Sequence, residues 1–324
     1  MELFRTVVKC AVSPEKIGYE TPLVMLGSCF AENLGALMKQ LKFNIILNPF
    51  GIVYHPVPLA QNIERIISGK PYIVDELHQY NELWHSFDHH GRFSHTDASV
   101  CICKINDELQ QTSEQLARSQ WLFVTFGSAW AYRLKTTEQI VANCHKLPAS
   151  DFERIRFDVH EICDIWKKTI AMLHQFNPDI KIVFTVSPVR HLRDGAHENQ
   201  LSKSTLLLAI EQLNNQHTNT RYFPAYEIVL DELRDYRFYD ENMTHPNDVA
   251  INYIWRRFCE TYIDDGALQI MKTVESIIKA SSHKPLHQTS ERQKFTANYL
   301  EKIDELQRKM PFLDFSEERI FFES

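Results

Sequence analysis

The sequence predicts an α/β fold of three layers, with helices on both faces of a parallel sheet and a helical appendage after about residue 265. Two observations carry this. Short apolar runs of strand length alternate with stretches whose apolar residues recur every three or four positions. Alternating strands and helices make parallel βαβ units, because a parallel neighbour is reached only through a long crossover.

The elements follow in order. Leu23-Val24-Met25-Leu26 reads as the first strand, running through Gly27-Ser28 into a helical pattern over residues 32–42. Residues 43–47, 121–126 and 181–186 read as the second, third and fourth strands, and residues 221–229 contain a weaker fifth. A helix is expected over residues 159–175, where Ile162, Trp166, Ile170 and Leu173 form one apolar stripe. Others are expected over 203–215 and 248–262, the latter with Ile251, Ile254, Trp255 and Phe258 on one face. Residues 71–100 break the alternation; rich in His, Asp and aromatics, they read as an insertion at the sheet's rim. Past residue 265, a helical pattern at 267–280, a polar break at 281–289 and a charged helix at 292–309 read as an appendage. The expected division is a domain over 1–265 and an appendage over 266–324.

Composition bounds the function. The 324 residues are 44% hydrophobic and 24% charged, ordinary values for a globular chain. A formal net charge of −7 argues against a general nucleic-acid binder, which needs a basic face for phosphates. No segment approaches about 18 consecutive apolar residues, so no membrane partner is expected. Residues 1–10 lack a basic stretch followed by an apolar one, so no signal peptide is read there. Seven cysteines at irregular spacings suit reduced thiols, and a cytoplasmic location is expected.

The chemistry-bearing segment is Leu26-Gly27-Ser28-Cys29-Phe30-Ala31. A strand ends, a glycine turns the chain, and Ser28 stands where a helix begins. Ligands of open α/β sheets bind at the carboxyl ends of the strands, and a helix N-terminus there favours a developing oxyanion. Ser28 is a candidate nucleophile; serine is also simply a favoured N-cap. The candidate base is His245, in a polar loop where Asp240, Glu241, Asn242 and Asp248 are close enough to orient its ring. Cys29 competes as nucleophile, since a helix start lowers a thiol pKa. Cys144-His145 reads as a wall rather than a catalytic pair, because adjacent extended residues point opposite ways. His85, His89, His90 and His95 offer a metal reading beside the blander one of a polar lid. Arg190, His191 and Arg193, with Lys146, read either as a positive rim for an anionic or sugar-rich substrate or as solvated charge.

Gly27-Ser28-Cys29-Phe30-Ala31 resembles the motif that names the GSCFA family, a bacterial group similar to the SGNH/GDSL hydrolases. Asn48-Pro49-Phe50-Gly51, Phe126-Gly127-Ser128-Ala129-Trp130, Asn143-Cys144-His145-Lys146, Ser187-Pro188-Val189-Arg190-His191, Tyr222-Phe223-Pro224-Ala225-Tyr226-Glu227 and His245-Pro246 extend the resemblance over roughly residues 20–260. It implies a flavodoxin-like sheet, Ser28 as nucleophile, His245 as base, and an oxyanion hole from the N–H groups of Ser28 and Gly51 with the block opened by Gly127. Two positions depart from the superfamily pattern. Ala129 stands where an oxyanion Asn is usual, and Asn143 is the candidate replacement. Asn242 stands where the Asp of a D-x-x-H motif is usual, and Asp240 or Glu241 are candidates to replace it. The implied activity is hydrolysis or transfer of an acyl ester, on a small molecule or acylated carbohydrate, with no cofactor. Trp130, His145, Lys146, Arg190 and His191 would face the substrate. The alternative is a degenerate hydrolase fold serving as a carbohydrate-binding or scaffolding protein. A homo-oligomer stays open.

Overall fold

The computed structural model describes residues 5–282 and 290–323. Residues 1–4, part of the N-terminal signal reading, and 283–289, most of the polar break read at 281–289, lie outside the described residues.

In chain order the elements are β1 (Leu23–Gly27), α1 (Cys29–Gln40), β2 (Ile45–Leu47), α2 (Pro56–Ser68), β3 (His78–Tyr80), β4 (Leu83–His85), α3 (Ala98–Arg118), β5 (Trp121–Phe126), β6 (Trp130–Leu134), β7 (Ile140–Val141) and β8 (Phe152–Arg156). There follow α4 (Val159–Phe176), β9 (Lys181–Val186), α5 (Ala196–Gln216), β10 (Thr220–Tyr222), the short α6 (Ala225–Glu227), α7 (Asp248–Tyr262), α8 (Asp265–Ser281), α9 (Ser290–Lys309) and α10 (Ser316–Glu323).

The central sheet has five strands in the order β10-β9-β5-β1-β2, all parallel. Counted along the chain this is 2-1-3-4-5, the flavodoxin-like order. Its middle strands are buried on both faces, which is why they read as unbroken apolar runs. Alternate side chains sort to the two faces. Leu23, Met25, Trp121 and Phe123 join one core with Phe30 and Leu34 of α1 and Ile254 and Phe258 of α7. Val24, Leu26, Leu122 and Val124 join the other with Ile63 of α2, Ile105 of α3, Trp166 of α4 and Leu206 of α5. The three-layer α/β architecture is therefore the one the alternation predicts.

Helices α2 and α3 fall where no helix is expected from sequence, and α5 begins at Ala196 rather than near residue 203. The weak fifth strand is three residues long and gives way to α6 and a π-helical turn, Ile228–Leu233. The insertion holds the antiparallel hairpin β3–β4, and a second antiparallel sheet, β7-β6-β8, stands after β5. Beyond residue 265 the chain is helical among the described residues, and Val274, Ile277, Ile303, Leu313, Phe315 and Phe322 enter the same core as β1 and α7. Among the described residues, no helix is long and apolar enough to cross a membrane.

Candidate active site

Ser28 closes β1 and opens α1. Its φ of −72° and ψ of 179° are the extended N-cap conformation, and its Oγ accepts a hydrogen bond from Phe30 N–H at 3.3 Å. The turn needs glycine at 27: φ is +147°, and a Cβ there would lie 2.6 Å from the Thr125 carbonyl oxygen. Gly27 N–H donates to Asn48 Oδ1 at 2.8 Å, and Asn48 Nδ2 donates to Glu32 Oε2 at 2.6 Å. The residue after β2 thereby fixes the Gly27-Ser28 turn. Ser28 is only 3% exposed. Glycine 127, after β5, abuts it: a Cβ at this position would meet Tyr54 Cβ at 2.8 Å and Ser28 Cβ at 3.5 Å.

The expected oxyanion donors of the second and third blocks are committed elsewhere. Gly51 N–H donates to Asn48 O at 2.7 Å, because its φ of +79° folds the chain into a tight turn. Gly127 N–H donates to Tyr54 O at 2.7 Å, and Ala129 N–H to Ser202 Oγ at 2.8 Å. The first turn of α1 remains, where the N–H groups of Cys29, Phe30 and Ala31 have no carbonyl partner within the helix. Cys29 does not gain a lowered pKa from that position: burial pushes its thiol up, with Glu32 adding to the rise.

The His245 loop reaches the same sheet edge. Arg190, four residues past β9, donates its N–H to Thr244 O at 2.9 Å. The isolated bridge Tyr239–Pro246 closes the loop, and Asp240 N–H donates to His245 O at 2.8 Å. Asp240 contributes this backbone bond only; neither its exposed carboxylate nor that of Glu241 bonds the imidazole. Asn242 does approach it. Its Oδ1 accepts from Thr244 N–H at 2.8 Å, from the Thr244 hydroxyl at 2.8 Å and from His245 N–H at 3.0 Å. Two backbone donors fix which amide atom faces which way, so Asn242 Nδ2 is the atom 3.1 Å from His245 Nδ1. Thr244 Oγ1 lies 3.0 Å from the same nitrogen. Ser28 and His245 are not hydrogen-bonded to each other; the serine is held by Phe30 N–H.

Trp130, Arg190 and His191 line one cavity of about 300 Å³ beside Tyr54, Ser128 and Arg154. The Tyr54 and His191 rings lie 5.7 Å apart. Burial, then Lys203, His245 and Arg154, pushes His191 down to about 4, so it is neutral at neutral pH. The 143–146 loop belongs to the insertion instead. Asn143 Oδ1 accepts from His145 N–H at 2.8 Å, His145 Nε2 lies 2.7 Å from Ser86 O, and the His145 ring packs 4.5 Å from that of His85. Asn143 has no hydrogen bond to Ser28, Gly127 or His245, and Lys146 is exposed. The insertion's histidines are similarly engaged: His85 with Ser94 and Tyr80, His89 with Ser86 and, by stacking at 4.5 Å, with Phe50.

Sequence reasoning missed four residues here: Tyr54, Arg154, Thr244 and Lys203. Lys203 is wholly buried, with Nζ 2.6 Å from both Gly127 O and Ser187 O. Its signal was present, since it shares a helical face with Leu206, Ile210 and Leu213.

A search among curated proteins finds no match. Among solved structures, a carbohydrate esterase family 3 protein from Talaromyces cellulolyticus aligns at 6% identity and a TM-score of 0.36, over 79% of this chain and 99% of that one. The acetyl xylan esterase Est2A from the rumen bacterium Butyrivibrio proteoclasticus aligns at 11% identity and a TM-score of 0.36, over 74% and 63%. The GSCFA family matches residues 22–258, and the GSCFA C-terminal domain matches residues 274–324. With most of its length matched, and Gly27-Ser28-Cys29-Phe30-Ala31 at the turn after β1, the chain belongs to the GSCFA family.

Proposed function

We propose that this protein is a serine-dependent acyl-ester hydrolase or acyltransferase that works through a Ser28 acyl-enzyme, with an acylated carbohydrate as substrate. The observation that carries it is convergence at one sheet edge. Ser28 lies at the start of α1 against Gly127, and the His245 loop is bonded to the same edge through Arg190. His245 Nε2 takes the Ser28 hydroxyl proton as Oγ bonds the acyl carbon and the carbonyl electron pair moves onto oxygen. Collapse of that intermediate expels the alcohol, which takes the proton back from Nε2. Water, or a second alcohol, then attacks the acyl-enzyme by the same path. As Oγ turns from Phe30 N–H to the acyl carbon, that N–H is released to join the donors of the first helical turn around the oxyanion.

The base must present Nε2 without a proton, so Nδ1 must carry one. Thr244 supports that tautomer. Its own hydroxyl proton is committed to Asn242 Oδ1, so its oxygen is left to accept from Nδ1–H. The Asn242 amide opposes it, since its N–H can donate only to a bare Nδ1. That opposition favours a second reading, a degenerate site that binds carbohydrate without turnover. A fluorophosphonate probe with p-nitrophenyl acetate turnover tests the two. Labelling and slow turnover that vanish in Ser28→Ala and persist in Cys29→Ala support the hydrolase. An unlabelled native protein gives the site to the second reading.

A further inference from the structure

The geometry points to a subsite for an anionic group, a carboxylate or phosphate carried by the substrate, in the cavity walled by Arg190, Arg154, His191 and Trp130. Its connection to turnover rests on the Ser28 reading; the subsite itself does not. The cavity's position links it to the nucleophile. Tyr54 and Ser128 line it, and Tyr54 O holds the N–H of Gly127, which packs against Ser28. At about 300 Å³ it lies at the small end of ligand pockets. That size suits one ring or side group rather than an extended chain.

Its charge is unbalanced. Arg154, Arg190 and Arg193 line it, and Asp194 pairs with Arg154 alone. Arg193 bonds the Tyr132 hydroxyl and Arg190 reaches the Tyr239 hydroxyl; neither has an ion-pair partner among the described residues. Two positive charges therefore face the cavity beside a neutral His191.

Its hydrogen bonding is unfinished in the same place. Arg190 Nε, Arg154 Nε, His191 Nε2 and Trp130 Nε1 are all buried without a partner. Buried polar groups are rarely left unpaired, and each orphan is costly. Those four atoms are closed off from the open cavity in this conformation, so it is the two uncompensated guanidinium groups that call for an occupant rich in acceptors and negative in charge. Carboxylate and phosphate are such groups, and both match the planar fork of arginine. A neutral sugar hydroxyl supplies acceptors but leaves the charge unbalanced. The guanidinium of Arg154 is held in place, 5.0 Å from the Trp130 ring centroid and 5.6 Å from that of Tyr132, so part of the subsite is preformed.

The test separates binding from turnover by using full-length Ser28→Ala protein. Calorimetric titration compares methyl glucuronoside, methyl glucoside 6-phosphate and neutral methyl glucoside. At least one charged probe is expected to bind about tenfold or more tighter than the neutral one, as for one charge-assisted contact, and to weaken as ionic strength rises. Whichever charged probe binds better identifies carboxylate or phosphate as the source. Adding Arg190→Gln is expected to remove the preference, and Arg193→Gln, at an exposed position that cannot unfold the core, to reduce it. Lys135→Gln, exposed after β6, controls for net charge and should leave it intact. Equal binding of charged and neutral probes overturns the subsite, as does a preference that survives both arginine changes. Acetylated forms of the three glycosides, given to native protein, report the hydrolase reading separately. Charged preference without turnover sinks that reading and leaves the subsite standing.

Discussion

Replacing Asn242 by Asp tests how the proposed base, His245, is oriented with the least disturbance to the loop. The aspartate Oδ1 inherits the three donors that Asn242 Oδ1 accepts, from Thr244 N–H, the Thr244 hydroxyl and His245 N–H. Its second oxygen takes the place of Nδ2, 3.1 Å from His245 Nδ1. An opposing donor becomes an acceptor. The Nδ1–H tautomer gains a charge-assisted hydrogen bond, worth about 1.5–3 kcal/mol against about 1 kcal/mol for a neutral one. Partial exposure of the loop takes the lower end of that range, so the barrier falls by roughly 1.4 kcal/mol or somewhat more, about tenfold in kcat. The gain stays far short of the roughly 10⁴ lost when an optimised triad exchanges its acid for an amide, because Thr244 already supports the working tautomer. The assay is kcat for p-nitrophenyl acetate in native protein, Asn242→Asp and Thr244→Val, with Asp240→Asn and Glu241→Gln beside them. Thr244→Val is expected to cost activity, and the last two changes to do little. Less than about a twofold gain in Asn242→Asp with no loss in Thr244→Val would refute this account of the tautomer. Loss of activity in Asp240→Asn would move the acid to a residue whose carboxylate does not touch the ring in this structure.

Two further outcomes follow from the fold. Burial and the Arg190 guanidinium push Lys203 down to about 7 from 10.5, so between those values the unfolded chain holds more protons and stability rises with pH, by up to about 1.36 kcal/mol per unit. Urea unfolding at pH 7 and pH 9 should show that rise in native protein and a flattened one in Lys203→Met; equal slopes would refute it. Ending the chain at residue 265 removes Val274, Ile277, Ile303, Leu313, Phe315 and Phe322 from a shared core. At about 1.5–3 kcal/mol each, that approaches or exceeds a typical total stability of roughly 5–15 kcal/mol. The expected product is unfolded or insoluble, and a cooperatively melting fragment would make 266–324 a separable appendage.

The sheet and the position of Ser28 at its first turn were legible because both lie where physics leaves a mark on local sequence. Strands buried on both faces must be apolar throughout, and a helix packed on one side must carry a stripe, so β1, β5, β9, α4 and α7 read directly. Ser28 follows from the glycine turn between such a strand and such a helix. Helix α2 was hidden by prolines at its first and third positions, which look like breakers yet suit a helix's first turn. Helix α3 was hidden by the polar residues along it, with only six buried positions in 21. The engagement of the Gly51 and Gly127 N–H groups could not be read, because a motif carried over by resemblance does not say where they point. Tyr54 O and Asn48 O claim those groups through contacts that exist only in three dimensions.

Turning a flavodoxin-like sheet into a site requires walls, and here they come from the least periodic pieces of the chain. The proposed nucleophile sits at the turn after β1, and the proposed base in the loop that leads into α7. The cavity beside them is closed by β6 and β8 and by the short turn after β9. Those strands are five residues long, and their outward side chains, Trp130, Tyr132, Arg154 and Arg156, are aromatic and cationic. Arg154 and Arg156 are each neutralised from the turn and first helical residues after β9, by Asp194 and Glu198. Arg190 and Arg193 come from the same segment and have no ion-pair partner among the described residues. A solvated patch would intersperse charges of both signs without regard to the cavity. Here the cavity wall carries three guanidinium groups and one of them, Arg154, is balanced by Asp194, so the wall keeps the net positive charge that the proposed anionic subsite requires.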